Sequence, residues 1–235
     1  MKSFLWAAVV VAAIGVLAGP AMAASIPVAN SSFETVPSTG LNETLKKGNY
    51  DFGAIPGWTT SNPATSGQWA PLSGTIHVLN SVPAGSVIAT LNTPGSTISQ
   101  ILNTAIVAGA TYTLNVDVAH RTDMTYVQPI VELEACSGSS GSTCYVIATG
   151  SQVTPAAGGW AVSTATFAAT GQYAGDQLKI VLGAGVGSQQ ADFDNVQLAA
   201  SLQDPSGSGN PEPASMALIG LGLVAIAALK RRLDH

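Results

Sequence analysis

The feature that most constrains the fold is a strict alternation of apolar and polar residues over positions 111–118. Tyr112, Leu114, Val116 and Val118 occupy every second position, with Thr, Asn or Asp between them. Successive side chains of a strand point to opposite faces, so this pattern predicts a half-buried β-strand. A chain that contains such a strand must bury one face of a sheet.

Similar alternation predicts further strands along the middle of the chain. Residues 127–135 repeat the pattern, and Pro129 indicates an edge position or a bulge. The other predicted strands are 75–79, 86–91, 97–102, 160–167, 177–182 and 196–198. Gly and Pro turns separate them, without a helical period between them. The prediction is an all-β fold, a single antiparallel β-sandwich of the jelly-roll type.

The amino-acid composition agrees with an all-β fold and excludes nucleic acid as a partner. Charged residues make up 9% of the chain, against about 25% in typical soluble proteins. Between Ala24 and Pro213 only four residues are basic and twelve are acidic. Nucleic-acid binding is excluded, because no basic patch is available to neutralise phosphates. Divalent cations, neutral sugars and basic partners remain compatible with this charge.

The N-terminal residues 1–23 are typical of a secretory signal peptide. Lys2 precedes an apolar core over residues 4–17, and Ala21-Met22-Ala23 supplies the small residues of a cleavage site. Gly19-Pro20 interrupts the apolar run, which is short for a span of about 20 residues. We expect a signal helix that signal peptidase removes, with an uncleaved anchor as the alternative.

Two segments follow the predicted domain of residues 24–204. A Ser- and Gly-rich linker covers 205–210, and a terminal segment covers 211–235. Its apolar residues 214–229 predict a single transmembrane helix of roughly 24 Å. The tripeptide Pro211, Glu212 and Pro213 precedes this apolar run, and the basic cluster Lys230, Arg231 and Arg232 follows it. The basic cluster is expected to stay in the cytoplasm.

This ending resembles the PEP-CTERM sorting signal of Gram-negative bacteria. The resemblance covers about the last 25 residues and implies processing by an exosortase-like enzyme, with association to exopolysaccharide or biofilm. It places the protein at the cell surface or in the extracellular matrix, after a temporary stay in the membrane. A permanent anchor is the alternative. A GPI signal is disfavoured, because such a tail does not usually end in Lys-Arg-Arg.

Two cysteines, Cys136 and Cys144, bracket a Ser- and Gly-rich stretch of seven residues. An exported protein meets an oxidising compartment, so a disulfide is expected. Closing so short a loop stabilises by roughly 2–3 kcal/mol on the chain-entropy estimate. Metal ligation by these two cysteines is the weaker alternative, because no further thiol or nearby His completes a site.

The order of several short motifs resembles the galactose-binding-like jelly rolls, which include many carbohydrate-binding modules. These motifs lie at 28–34, 55–58, 99–102, 108–114, 160–167 and 192–198. The resemblance implies that the first and last strands lie side by side. It also implies a structural calcium ion held by Glu34 and Asp194. Asp192 is an alternative ligand, because the apolar register of residues 193–198 requires a bulge.

Calcium takes six to eight oxygen ligands, so backbone carbonyls would complete the shell around two carboxylates. The alternative is that Glu34 and Asp194 are strand-end carboxylates that are capped or solvated.

Sugar binding requires an aromatic face beside polar groups. Trp69, expected in a loop, and Tyr126, expected near a strand end, are the main aromatic candidates, with Tyr50 as a further one. The predicted ligand-binding residues are Trp69, Tyr126, His120, Arg121 and Asp123. The alternative is a charged turn with an internal Arg–Asp pair. Trp58 and Trp160 occupy positions that the resemblance assigns to the core.

The sequence carries no Gly-x-Ser-x-Gly elbow and no clustered metal triad. We therefore expect a protein that is not an enzyme. A polysaccharide-acting hydrolase stays open as an alternative, because it needs only two carboxylates beside a cleft. The expected function is that of an exported surface or matrix protein that binds carbohydrate, with a purely structural matrix component as the other alternative.

Overall fold

The fold is that of a computed structural model, in which residues 23–72, 78–137 and 143–202 are described. Three predicted segments lie outside the described residues: residues 1–22 of the signal peptide, the linker 205–210 and the sorting segment 211–235. Within the described ranges no helix is long and apolar enough to cross a membrane. The predicted signal helix and transmembrane helix thus stay predictions.

The described residues contain thirteen strands and one short 3₁₀ turn, Gly171–Tyr173. The strands are β1 Ala24–Ile26, β2 Glu43–Leu45, β3 Gly48–Phe52, β4 Thr59–Thr60, β5 Ser66–Pro71, β6 Ile88–Leu91, β7 Thr97–Ala105, β8 Ala110–Ala119, β9 Ile130–Ser137, β10 Thr143–Thr149, β11 Trp160–Ala168, β12 Gln177–Gly183 and β13 Ala191–Leu202. The predicted all-β class is confirmed.

Two antiparallel sheets form the sandwich. The larger sheet has eight strands in the order β11-β8-β13-β6-β5-β3-β2, and β1 pairs with β13 beside this path. The smaller has five strands in the order β10-β9-β12-β7-β4. Neighbouring strands in the large sheet are often distant in sequence, because β8, β6 and β1 all pair with the last strand.

The alternation in residues 111–118 is confirmed by β8. Tyr112, Leu114, Val116 and Val118 are all buried, in one large apolar core with residues of the five-stranded sheet such as Leu133. The polar residues between them lie on the opposite face, as the period of two requires. The predicted strands at 97–102, 160–167 and 177–182 are confirmed as β7, β11 and β12.

Other predicted strands differ at their boundaries for local reasons. The strand predicted at 127–135 begins only at Ile130, directly after Pro129, which has no N–H to donate to a ladder. The one predicted at 86–91 begins at Ile88, because the N–H groups of Ser86 and Val87 donate to Glu34 instead. The one predicted at 75–79 lies largely outside the described residues.

The last strand confirms two expectations at once. β1 pairs with β13 through Ala24↔Ala200 and Ile26↔Leu198, so the first and last strands lie side by side. The pairing of β13 with β8 shifts register between Asp194 and Gln197, which is the expected bulge. Asn195 lies in this bulge with a φ of 49°, a left-handed conformation that Asn adopts more readily than most residues.

A second, smaller core lies on the outer face of the eight-stranded sheet. Trp69, Ile88 and Ala119 on the strands pack with Val78 and Leu79, so the segment 78–87 covers part of this face. The expectation that Trp69 lies in a loop is wrong, because it lies within β5 and only 4% of it is exposed. Trp58 is buried beside Phe33 in the main core, as expected.

Cys136 and Cys144 are bonded to each other, which confirms the expected disulfide. They are direct partners in the β9–β10 pair, so the bond joins the edge strand of the five-stranded sheet to its neighbour. The carboxylate of Glu134 lies near both sulfurs. Because the sulfurs are bonded to each other, neither is a thiolate that could ligate a metal.

Candidate functional site

A cleft of about 170 Å³ opens on the outer face of the eight-stranded sheet. Its lining combines aromatic rings, two cationic side chains and uncharged polar groups. The lining residues are Lys47, Tyr50, Phe52, Trp69, Thr90, Asn92, Arg121 and Gln190. This volume is below the ~300–1,000 Å³ of most small-molecule sites, so it accommodates one ring or the end of a chain.

The register of the strands explains why these side chains meet. Tyr50 on β3 lies directly opposite Trp69 on β5, and Phe52 lies opposite Gly67. Gly67 in turn pairs with Thr90 on β6. At Gly67 a β-carbon would lie 1.9 Å from the carbonyl oxygen of Asp51. Only glycine permits this close approach of β3 and β5.

Arg121 follows the end of β8 and closes one side of the cleft. Its Nε and Nη2 donate to the two carboxylate oxygens of Asp123 at 2.9 and 2.8 Å, and its Nη1 donates to Gln190 Oε1 at 2.6 Å. The guanidinium carbon lies 4.9 Å from the ring centroid of Trp69, in cation–π geometry. Arg121 therefore covers one face of the Trp69 ring, and the edge of the ring lines the cleft.

Asp123 links two cations at the rim. Besides Arg121, it accepts a hydrogen bond from the ammonium of Lys47. The hydrogen bond from Arg121 is the main reason that the pKa of Asp123 lies well below its usual range, so this carboxylate stays ionised. The expected internal Arg–Asp pair therefore exists, and it forms a wall of the cleft.

Asp192 lies on the neighbouring strand β13, directly opposite Thr90. It is almost fully buried and accepts a hydrogen bond from Gln190 Nε2 at 2.6 Å. Burial raises its pKa, against the opposing effects of the Gln190 hydrogen bond and the Arg121 charge. The protonated form is therefore favoured relative to an exposed aspartate.

His120 and Tyr126 lie behind Arg121, and neither belongs to the lining of the cleft. Their rings are 5.2 Å apart, and the His120 ring nitrogens face the carbonyl oxygens of Pro155 and Met124 at 3.0 and 3.3 Å. Burial raises the pKa of Tyr126 to about 12. Of the five predicted ligand-binding residues, the structure brings Trp69, Arg121 and Asp123 together around the cleft. The other two, His120 and Tyr126, lie outside its lining.

Sequence reasoning missed most of the polar lining. Phe52 carried a usable signal, because it stands two residues after the aromatic candidate Tyr50, which is the spacing of one strand face. Thr90, Asn92 and Gln190 carried none, because Thr90 and Asn92 stand far in sequence from Gln190 and from the aromatic candidates. Only the pairing of β6 with β13 and β5 brings them to one place.

A second group of side chains, Glu34, Asp117 and Asp194, forms an acidic cluster near the segment 78–87. Glu34 Oε1 accepts hydrogen bonds from the backbone N–H groups of Ser86 and Val87 at 2.8 and 2.7 Å. Asp194 is fully buried and accepts from the backbone N–H groups of Ala84 at 2.8 Å and Asn195 at 2.7 Å. Both carboxylates thus anchor one short segment.

The cluster concentrates negative charge. Asp194 and Asp117 are direct partners between β13 and β8, and Asn195 Nδ2 donates to Asp117 Oδ2 at 2.8 Å. Burial raises the pKa of Asp194 to about 7, and the charges of Asp117 and Glu34 add to the rise. Among the described residues, none of the three carboxylates forms a salt bridge with Lys or Arg.

The donor set suits a hard cation such as calcium, because carboxylate oxygens and a charge without a counterion are what this ion requires. The amide hydrogen bonds leave lone pairs on each carboxylate. Glu34 affects the pKa of Asp194, whereas Gln190, Arg121 and Asp123 are among the groups that affect Asp192. Asp194 and Glu34 therefore share a partner, because both accept hydrogen bonds from amides of the segment 78–87. Asp192 instead lies beside the cleft, hydrogen-bonded to Gln190.

Comparison with known proteins identifies two segments. The family model described as HpiC1 cyclase matches residues 24–199. The PEP-CTERM protein-sorting motif matches residues 211–232, which confirms the expected resemblance at this end. The motif indicates export and surface association in a Gram-negative bacterium, with processing by an exosortase-like system. No curated protein matches the chain.

Several solved structures are similar to this chain. A Stig cyclase, Fisc, from Fischerella sp. TAU in complex with (3Z)-3-(1-methyl-2-pyrrolidinylidene)-3H-indole has 24% identity and a TM-score of 0.61, over 77% of this chain and 100% of that chain. A cyclase from Fischerella sp. TAU in complex with 4-(1H-indol-3-yl)butan-2-one has 24% identity and a TM-score of 0.60, over 77% and 99%. The CBM22-2 xylan-binding domain of Paenibacillus barcinonensis Xyn10C has 13% identity and a TM-score of 0.43, over 63% and 94%.

The contact between Glu34 and the segment 78–87 is tested at Gly85. Its φ is +89°, and a β-carbon there would lie 2.3 Å from Glu34 Cδ. Gly95 has a φ of +77° and open space around it, so it is the matched control. We expect Gly95→Ala to lower the free energy of unfolding by about 1 kcal/mol, from backbone strain alone. Gly85→Ala should lower it by about 3 kcal/mol, because the Glu34 anchor must also shift.

The measurement is equilibrium unfolding in urea for both variants and the parent protein. Equal losses at the two positions would contradict the role of Glu34 as an anchor.

Proposed function

The chain belongs to the HpiC1 cyclase family, and we propose that its sandwich serves as a carbohydrate-binding domain on an exported surface protein, with the cleft beside Arg121 as its site. The observation that carries the proposal is the pair of half-buried rings Tyr50 and Phe52, 4.9 Å apart, beside the polar groups of Asn92 and Gln190. A sugar ring presents C–H groups to an aromatic face and hydroxyls to polar groups at its edge.

The sorting motif supports the same proposal from a different direction. Export to the surface, which the motif indicates, would bring the domain near extracellular polysaccharides, in line with the exopolysaccharide association that the PEP-CTERM resemblance implies. The cleft is small, so it suits a terminal sugar or a single residue of a longer chain. The purely structural alternative assigns no ligand to this cleft.

The proposal is tested by binding to a broad glycan array and then by isothermal titration with the glycans that bind. Tyr50→Ala should weaken affinity by about tenfold, because a buried aromatic contact contributes on the order of 1 kcal/mol. Tyr145→Ala is the matched control, since Tyr145 is an exposed tyrosine on β10 of the other sheet. Absence of binding to any glycan would favour the purely structural role.

Acid catalysis at the same cleft is a second candidate, and it is favoured by Asp192. This carboxyl is almost fully buried next to Gln190 and near Arg121, and its raised pKa favours the proton-bearing form that a general acid needs. Membership of a family described as a cyclase weighs against the expectation that the protein is not an enzyme. The two Fischerella cyclase structures hold indole compounds.

The probe for this candidate is 4-(1H-indol-3-yl)butan-2-one, the compound bound in one of those structures. If the cleft takes indole-bearing ligands, titration should give saturable binding that Tyr50→Ala weakens and Tyr145→Ala does not. Asp192→Asn should preserve binding of this ketone within about twofold, because asparagine keeps the size of the side chain and removes only the acidic proton. Binding of glycans with no binding of the ketone would count against cyclase-type chemistry.

A structural calcium ion at Glu34 and Asp194 is part of the proposal, and the acidic cluster supports it. The ion would neutralise charge between β13 and the segment 78–87 and so join the two ends of the domain. Adding Ca²⁺ to the chelator-treated domain should raise its melting temperature, by about 2.7 kcal/mol of stabilisation at 100 times the dissociation constant. Glu34→Gln should abolish this rise.

Glu132→Gln is the matched control for the calcium test, because Glu132 lies on β9 of the five-stranded sheet. Its response to Ca²⁺ should equal that of the parent protein. An unchanged melting curve of the parent protein in both Ca²⁺ and EDTA would remove Glu34 and Asp194 as ligands.

A further inference from the structure

The basic residues of this acidic chain are distributed very unevenly. Between Ala24 and Pro213 there are four, and three of them stand at or beside the cleft. Lys46 and Lys47 form the turn between β2 and β3. Lys47 shares the carboxylate of Asp123 with Arg121, and both cations line the cleft. The fourth, Lys179, lies on the other sheet, 2.9 Å from Glu134. Positive charge is thus concentrated at the aromatic cleft.

These cations keep hydrogen-bond donors that nothing in the described part of the chain uses. Arg121 has five N–H donors, of which three serve Asp123 and Gln190. Lys47 has three donors, of which one serves Asp123, and its side chain is 39% exposed. Lys47 can therefore bind an additional acceptor without breaking the bond that holds it in place. The Arg121 side chain is only 9% exposed, so its spare donors are reached through the cleft that it lines.

The local charge balance favours an anion. Among the described residues, Asp123 is the one carboxylate that both Lys47 and Arg121 contact, so the trio carries one excess positive charge. Burial raises the pKa of the neighbouring Asp192, which opposes its ionisation beside these cations. Glu43 stands opposite Tyr50 at the rim, and the exposed Lys46 in the adjoining turn offsets it.

We propose that the sugar bound in the cleft carries a carboxylate, as uronic acids do, and that Arg121 and Lys47 recognise this group. The inference rests on the carbohydrate-binding function proposed above. The ring would contact Tyr50 and Phe52, and the carboxylate would accept hydrogen bonds from the free donors of the two cations. Arginine suits this role because its planar donors match a carboxylate. The partner would be an acidic polysaccharide.

The experiment compares uronic-acid oligosaccharides with their methyl esters, which keep the ring and lose the charge. Oligomers of galacturonate, glucuronate and mannuronate are titrated at fixed calcium concentration, together with sulfated neutral oligomers. We expect the acids to bind at least about tenfold more tightly than their esters, with an affinity that falls as salt increases. Tighter binding of the sulfated oligomers than of the acids would overturn the assignment to a carboxylate.

Variants identify the groups responsible. Lys47→Gln and Arg121→Gln should each remove most of the preference for the acid, and Lys179→Gln, the matched control, should leave it unchanged. Asp123→Asn should strengthen binding of the acids by severalfold, because it removes the competing carboxylate, while binding of the esters stays constant. A purely structural role of Asp123 would instead weaken the binding of both.

Equal affinity for acids and esters, unchanged in Lys47→Gln, would overturn this inference and leave the carbohydrate-binding function standing. Failure of every acid, ester and sulfated oligomer to bind would overturn both.

Discussion

The structure depends on the pairing of β13 along both of its edges. β8 pairs with it along most of its length on one side, and on the other side β6 pairs with its start and β1 with its end. The bulge at Asn195 shifts the side-chain alternation by one residue. Phe193 before the bulge and Val196 and Leu198 after it are all buried in the main core, while Asp194 lies with Asp117 on the outer face. Without the extra residue, either Phe193 or the pair Val196 and Leu198 would point away from the main core.

The same strand organises both groups of functional side chains. Asp192 lies toward the cleft and Asp194 toward the acidic cluster, two residues apart on one face. The segment 78–87 covers the sheet nearby and contributes the amides that bind Glu34 and Asp194. A sparsely charged chain thus gathers negative charge under this segment and positive charge at the cleft. This separation of charge is the reason that we propose a cation as the ligand of the acidic cluster and an anionic sugar as the ligand of the cleft.

Whether a strand could be predicted from the sequence depended on which of its residues are buried and whether they are apolar. β8, β11 and β12 have one apolar face that packs in the main core, so their alternation was visible in the sequence. β5 was not, because Ser66 and Gln68 are buried polar residues whose position is fixed by neighbouring strands. β10 was missed because it is an edge strand with most of its residues exposed or half-exposed. Arg121 and Trp69 were predicted as candidates from their residue types, but their stacked geometry required tertiary contacts that the sequence pattern does not contain.

The antiparallel pairing of β1 with β13 also determines where the chain enters and leaves the sandwich. Ala24 lies opposite Ala200, close to the last residue of β13, whereas the cleft and the acidic cluster lie at the beginning of that strand. A strand of twelve residues extends over about 40 Å at about 3.3 Å per residue. If the termini are trimmed as the sequence predicts, the described chain ends that remain lie at the end of β13 remote from the proposed binding groups. Processing would then change where the protein acts without changing what it recognises.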